Sequence, residues 1–115
     1  MNNETIKDFS DYTDRAMFFA EYKSDSYPYF GLVEEVGEFM GLFAKAHRGD
    51  NMAERYGSEE AVADQVKKEL GDILWMLTAV VNDMGYSLEE IATANVEKLQ
   101  DRANRGVIKG SGDDR

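Results

Sequence analysis

Apolar residues recur every three or four positions along most of the chain, which is the period of an α-helix. The pattern predicts four helical segments, over residues 5–22, 28–47, 58–84 and 87–105. The single proline, Pro28, suits the first turn of a helix, and no pair of alternating strands with a hairpin signal occurs. We therefore expect an all-α chain folded as a four-helix antiparallel bundle.

Local signals support these boundaries and divide the chain. Ser58 has the character of a helix N-cap, and Ser87 with Glu90 forms a capping box. We expect one domain over residues 1–108 and a flexible, glycine-rich tail over residues 109–115. Because four short helices bury limited apolar area, self-association into a homodimer or homotetramer is expected.

Composition narrows the classes of function. The net charge of −10 disfavours binding to nucleic acid or to an anionic membrane surface. No apolar run is long enough to span a bilayer, and the first residues lack the pattern of a secretion signal. Because the chain has no cysteine, a cytoplasmic location is expected. An anionic substrate would need cations to mediate its binding to so acidic a protein.

Two acidic residues lie at the entrance of an otherwise apolar segment, K-E-L-G-D-I-L-W-M-L over residues 68–77. On a helical wheel, Glu69 falls on the apolar stripe of the third predicted helix, and Asp72 lies on its edge. Burying a carboxylate without a partner on a stripe that faces the core costs folding free energy. We therefore expect a positively charged partner there.

The second predicted helix carries the segment Y-F-G-L-V-E-E-V-G-E-F, in which Glu34, Glu35 and Glu38 share one face. On this helix alone, a solvated acidic face is the favoured interpretation. If the two helices are neighbours, however, E35-x-x-E38 and E69-x-x-D72 would bring four carboxylates around one point. Such anions repel one another unless they bind hard divalent cations, and all-oxygen ligands favour Mg²⁺ or Mn²⁺.

Polar residues also interrupt the apolar stripe of the fourth predicted helix. Asn95 and Arg102 fall on this stripe, and Lys98 lies at its edge. Lysine and arginine side chains often run along a helix face and pair with nearby acids. Two polar groups within one apolar stripe nevertheless need a shared partner, and a phosphate chain would be such a partner.

The ordered combination of E35-x-x-E38, E69-x-x-D72 and N95-x-x-K98-x-x-x-R102 resembles the MazG-like nucleotide pyrophosphohydrolases over roughly residues 28–105. The two segments quoted above are especially similar to the signature segments of that family. The resemblance implies an oligomeric fold of the all-α NTP pyrophosphatase type. It also implies Mg²⁺-dependent hydrolysis of a nucleoside triphosphate to the monophosphate and diphosphate, which removes unwanted nucleotides from the pool.

The resemblance further implies roles for individual residues. Four carboxylates would ligate the metal: Glu35, Glu38, Glu69 and Asp72. Glu34 and Glu38 would act in catalysis. Three residues would bind the phosphates or the sugar: Asn95, Lys98 and Arg102.

Other interpretations are weighed against the hydrolase. The main alternative is a non-catalytic nucleotide-binding or adaptor protein whose acidic face docks a partner, and a nucleotide sensor is less favoured because all four carboxylates are present. A di-iron bundle would need Glu-x-x-His motifs, and the single histidine, His47, is not spaced in that way. Aromatic residues that could stack on a nucleobase are Phe18, Tyr29, Phe30 and Trp75. For Trp75, which lies away from the main stripe, a subunit interface is the preferred interpretation.

Overall fold

The structure, a computed structural model, describes residues 4–22 and 24–113. Five α-helices follow one another along them: α1 (Phe9–Met17), α2 (Tyr27–His47), α3 (Met52–Tyr56), α4 (Glu59–Asp83) and α5 (Leu88–Asn104). These residues contain no strand, so the predicted all-α class is confirmed. Within the same part of the chain, no helix has an apolar stretch sufficient to cross a membrane.

Two features of the helices differ from the sequence prediction. The first helix is shorter, because the backbone N–H groups of Phe19 and Ala20 bond to carbonyls only three residues back and tighten the chain into a turn. The polar connection before α4 contains the additional helix α3. Its N-terminus is capped by the Asn51 side chain, which accepts a 3.0 Å hydrogen bond from the Glu54 N–H, and Gly57 ends it with a φ of 107°.

Helices α2 and α4 form the principal packing unit of the chain. They run antiparallel, since the Tyr29 hydroxyl near the start of α2 donates a 2.6 Å hydrogen bond to Asp83 at the end of α4. Gly31 lets the two helices approach closely, because a Cβ atom there would lie 2.6 Å from the sulfur of Met76. This contact places the acidic segments of the two helices side by side.

The apolar core within one chain is small. The buried apolar side chains among the described residues are few: Pro28, Leu42, Met76, Ala79, Val81 and Leu88. Helix α5 packs chiefly on α1, and apolar side chains of α2 and α4, such as Val33 and Leu70, remain exposed. The radius of gyration is 17.5 Å, whereas a compact domain of this length has about 13 Å. A single chain is therefore open, with much of its apolar surface uncovered.

The close approach at Gly31 gives a test of the α2–α4 packing. We expect Gly31→Ala to lower the free energy of unfolding by about 1–2 kcal/mol, because the nearly fully buried Met76 has little room to move away from the new methyl group. The matched control is Gly71→Ala in the interior of α4, where a Cβ atom meets nothing within 4 Å. This control should gain up to about 1 kcal/mol from helix propensity. Urea unfolding measures the free energy of unfolding of both variants. If Gly31→Ala stabilises the chain as much as Gly71→Ala does, the close contact between Gly31 and Met76 is contradicted.

Candidate metal centre

The interface between α2 and α4 brings three acidic side chains together. One carboxylate oxygen from each of Glu35, Glu69 and Asp72 lies within 4.8 Å of the other two. Glu35 projects from α2, whereas Glu69 and Asp72 lie one turn apart on α4, so the antiparallel packing itself creates the cluster. Three of the four residues predicted as metal ligands therefore meet at one point.

Two oxygens of this cluster are buried and unpaired. Glu35 and Glu69 are partly buried, and the Oε2 atom of each has no hydrogen-bond partner among the described residues. The other oxygen of Glu69 accepts a 2.9 Å hydrogen bond from Gln65 Nε2. A buried acceptor without a partner costs on the order of 1–3 kcal/mol, and more when it is charged. The cluster is thus a set of oxygen donors whose chemistry fits a hard divalent cation.

The electrostatics of Glu35 reflect the same crowding. Burial, and after it the neighbouring carboxylates of Glu38, Asp72 and Glu69, raise the pKa of Glu35 from 4.5 to about 7. Glu38 is itself exposed, and its carboxylate acts on Glu35 as a neighbouring negative charge. Glu34 is exposed as well, and it is not among the groups that raise the pKa of Glu35. Glu38 therefore belongs to the periphery of the cluster, and Glu34 lies outside it.

Two neighbours of the cluster were not anticipated from the sequence. Gln65 orients Glu69 from one turn earlier on α4, and the spacing Q65-x-x-x-E69 could have revealed this contact. Tyr12 on α1 lies near Asp72, since burial and then the charge of Asp72 raise the pKa of its phenol. No local pattern signals Tyr12, because its contact joins segments far apart in the chain.

Among the described residues, no ion pair joins Lys98 or Arg102 to this cluster. Asn95 and Lys98 are exposed on α5, whereas Arg102 is buried. Lys98 and Arg102 instead form ion pairs with Asp113, at 3.1 Å and 2.9 Å. Residues 114–115 of the predicted flexible tail lie outside the described residues.

A cavity of about 380 Å³ adjoins the cluster and shares Glu35 with it. Three aromatic rings form part of its wall: those of Tyr22 and Tyr27 are stacked, with centroids 5.7 Å apart, and the ring of Trp75 lies 6.1 Å from that of Tyr22. The Trp75 indole donates a 3.1 Å hydrogen bond to the Ala16 carbonyl, so it contacts α1 within its own chain. Of the four aromatic residues considered from the sequence, Trp75 alone is among the residues that line this cavity.

The two antiparallel helices thus gather carboxylate oxygens, which are the ligands that hard divalent cations prefer. The chain belongs to the MazG family, since the model of the MazG nucleotide pyrophosphohydrolase domain matches residues 28–107. This match confirms the resemblance read from the sequence. The chain is also 36% identical over 90 residues to the Gene 37 protein of Mycobacterium phage L5. The aligned residues cover 78% of this chain and 75% of the phage protein. No solved structure gives a significant match.

The raised pKa of Glu35 predicts how stability depends on pH when metal is absent. In the unfolded chain Glu35 ionises near pH 4.5, and in the metal-free folded chain near 7. Between these values the folded state holds the additional proton, so the free energy of unfolding falls as the pH rises through this window. We expect the free energy of unfolding to fall by about 1–2 kcal/mol across this window. This value is smaller than the full pKa shift would give, because solvent screens the partly exposed side chain.

Urea unfolding from about pH 5 to about pH 8 in the presence of a chelator measures this dependence. The control is Glu35→Gln, which removes the titrating group and should flatten the profile over the same range. A wild-type free energy of unfolding that rises across this window, or the same decline in the variant, would contradict the crowding of Glu35.

Proposed function

We propose that the chain is a divalent-metal-dependent nucleoside triphosphate pyrophosphohydrolase, with Mg²⁺ as its ion. In this reaction the oxygen of water bonds to the α-phosphorus, and the bond from that phosphorus to the bridging oxygen of the departing diphosphate breaks. The observation that carries the proposal is the cluster of Glu35, Glu69 and Asp72, two of whose oxygens are buried and unpaired. Membership of the MazG family supports the class of reaction.

Glu35, Glu69 and Asp72 would hold the cations, with the exposed Glu38 beside them. All of these donors are carboxylate oxygens, which suit Mg²⁺ or Mn²⁺ better than softer metals. Cations bound there supply positive charge that offsets the triphosphate and promotes ionisation of the attacking water. Without such charge, a chain with a net charge of −10 would repel a triphosphate.

For the general base, Glu38 is the better placed of the two residues expected to act in catalysis. Its negative charge helps raise the pKa of Glu35, and its exposed carboxylate is open to a water molecule beside the cluster. Glu34 is exposed on the same helix, but it is not among the groups that raise the pKa of Glu35. We therefore assign proton removal to Glu38 and an auxiliary role to Glu34.

The aromatic cavity next to Glu35 is the proposed site of the nucleobase. A base is a flat apolar surface with polar edges, and aromatic side chains such as those of Tyr22, Tyr27 and Trp75 stack on such surfaces. Trp75 is anchored by its hydrogen bond to Ala16, so this wall of the cavity is held in place before a ligand enters. Because Glu35 lies both in the cavity and in the cluster, a bound base would hold its phosphates near the carboxylates.

A non-catalytic acidic docking face is the weaker candidate. A surface that docks a basic partner presents its carboxylates to solvent, whereas Glu35 and Glu69 are partly buried between two helices. Their unpaired oxygens lie at the α2–α4 interface, where a cation is a better fit than an extended protein surface.

The chain would act as a homo-oligomer. Four exposed apolar residues of α2 follow one another at intervals of three, four and three positions: Val33, Val36, Met40 and Phe43. Their side chains are 74%, 42%, 52% and 47% exposed, and this spacing is that of a seam at which two helices pack. With so few apolar side chains buried in one chain, a second copy that covers this seam would complete the helical bundle.

Loss of one cluster carboxylate tests the hydrolase. Asp72→Asn should reduce Mg²⁺-dependent release of pyrophosphate from a panel of ribo- and deoxynucleoside triphosphates by on the order of 100-fold or more. The metal-free variant should melt at the same or a higher temperature, because one source of repulsion is removed. The exposed Asp64 on the same helix offers the control Asp64→Asn, which should keep the wild-type rate. Turnover by Asp72→Asn at the wild-type rate would exclude this residue from the site.

A charge placed in the α2 seam tests the oligomer. Met40→Asp should convert the assembly to monomers, as measured by light scattering after size-exclusion chromatography, because an unpaired carboxylate would be buried between the subunits. The control is Phe18→Asp, which makes the same change at a 72% exposed aromatic residue outside the seam. A wild-type monomer, or a Met40→Asp variant that stays oligomeric, would contradict this interface.

A further inference from the structure

The residues after α5 turn back over the end of that helix. The Val107 N–H bonds to the Arg102 carbonyl at 2.9 Å, and the chain reverses through two glycines with positive φ, Gly106 at 72° and Gly112 at 82°. Residues 107–113 thereby lie beside α5, on the side that carries Arg102.

The last described residue of this segment reaches the two basic side chains of α5. Arg102 Nη2 donates to the Asp113 carboxylate and carbonyl, both at 2.9 Å, and to the Gly112 carbonyl at 3.4 Å. Lys98 Nζ donates to the same Asp113 oxygen at 3.1 Å. The Arg102 side chain is only 5% exposed, whereas that of Asp113 is 82% exposed. A buried cation thus has its charge compensated by an exposed acidic residue of the tail.

We propose that the tail is an autoinhibitory segment, in which Asp113 holds the basic pair Lys98 and Arg102 until a phosphate-bearing ligand displaces it. This inference rests on the proposed function, which assigns the pair to the phosphates of the substrate. Carboxylate and phosphate oxygens accept the same charge-assisted hydrogen bonds from guanidinium and ammonium groups, so the two anions compete for one position.

The geometry favours phosphate in this exchange. Arg102 Nε is buried and has no hydrogen-bond partner among the described residues, so the tail leaves one donor of the guanidinium unused. A phosphate group has more acceptor oxygens than one carboxylate and can engage several donors of the same guanidinium. Because the carboxylate of Asp113 is mostly exposed, it can move into solvent when a phosphate takes its place.

The experiment compares the wild-type chain with Asp113→Asn and with the double variant Asp113→Asn, Asp114→Asn, which also removes the adjacent acidic residue. Asp101→Asn is the matched control, since it removes another ion pair of α5, the 2.9 Å contact with Arg105. Calorimetric titration with pyrophosphate and Mg²⁺ at low ionic strength should give a Kd about threefold lower for the tail variants than for the wild type and the control. In the wild type, pyrophosphate should also shift the Gly112 amide resonance toward its position in the double variant.

The outcomes separate this inference from the proposed function. An unchanged Kd in both tail variants, together with weaker binding by Arg102→Gln, would overturn the inhibitory role of the tail and leave the phosphate role intact. If Arg102→Gln binds pyrophosphate as the wild type does, the phosphate role is wrong and the tail inference is overturned with it. Displacement of the tail by pyrophosphate without hydrolysis of any triphosphate would support the tail inference and contradict the hydrolase.

Discussion

Repulsion among carboxylates held together by apolar packing is the constraint on which the rest of the structure depends. Close contact at Gly31 and Met76 fixes α2 against α4, and this contact brings Glu35 to Glu69. Packing therefore opposes electrostatics within the metal-free chain: burial, and after it the neighbouring carboxylates, raise the pKa of Glu35 to about 7. Divalent cations would remove this repulsion, so under the proposed function the same arrangement would both destabilise the metal-free chain and favour metal binding.

The sequence was sufficient for the features that depend on local periodicity. The helical repeat identified the all-α class, and the position of Glu69 on an apolar stripe anticipated its partial burial. The partial burial of Glu35 could not be predicted from its own helix, because the face of α2 that carries it also carries exposed acidic residues. Its burial follows from the neighbouring helix, so only the two motifs taken together indicated the cluster.

Features that depend on contacts between distant segments could not be predicted in this way. The approach of Tyr12 to Asp72 has no signal in the spacing of either residue. Similarly, the apolar stripe of α5 was expected to face a closed bundle, whereas this helix packs chiefly on α1 and its basic residues meet the tail. Periodicity shows which side of a helix is apolar, but it does not show whether another helix, the tail or a second subunit covers that side.

The central claim is that carboxylates from α2 and α4 form one site for divalent cations. Anomalous X-ray scattering from crystals grown with Mn²⁺ tests this claim most directly, because it locates the metal without relying on catalysis. The account predicts an anomalous peak within coordination distance of Glu35, Glu69 and Asp72, and the loss of this peak in Glu69→Gln crystals. Fully ordered carboxylates with no peak between them, or Mn²⁺ bound only elsewhere on the chain, would contradict it.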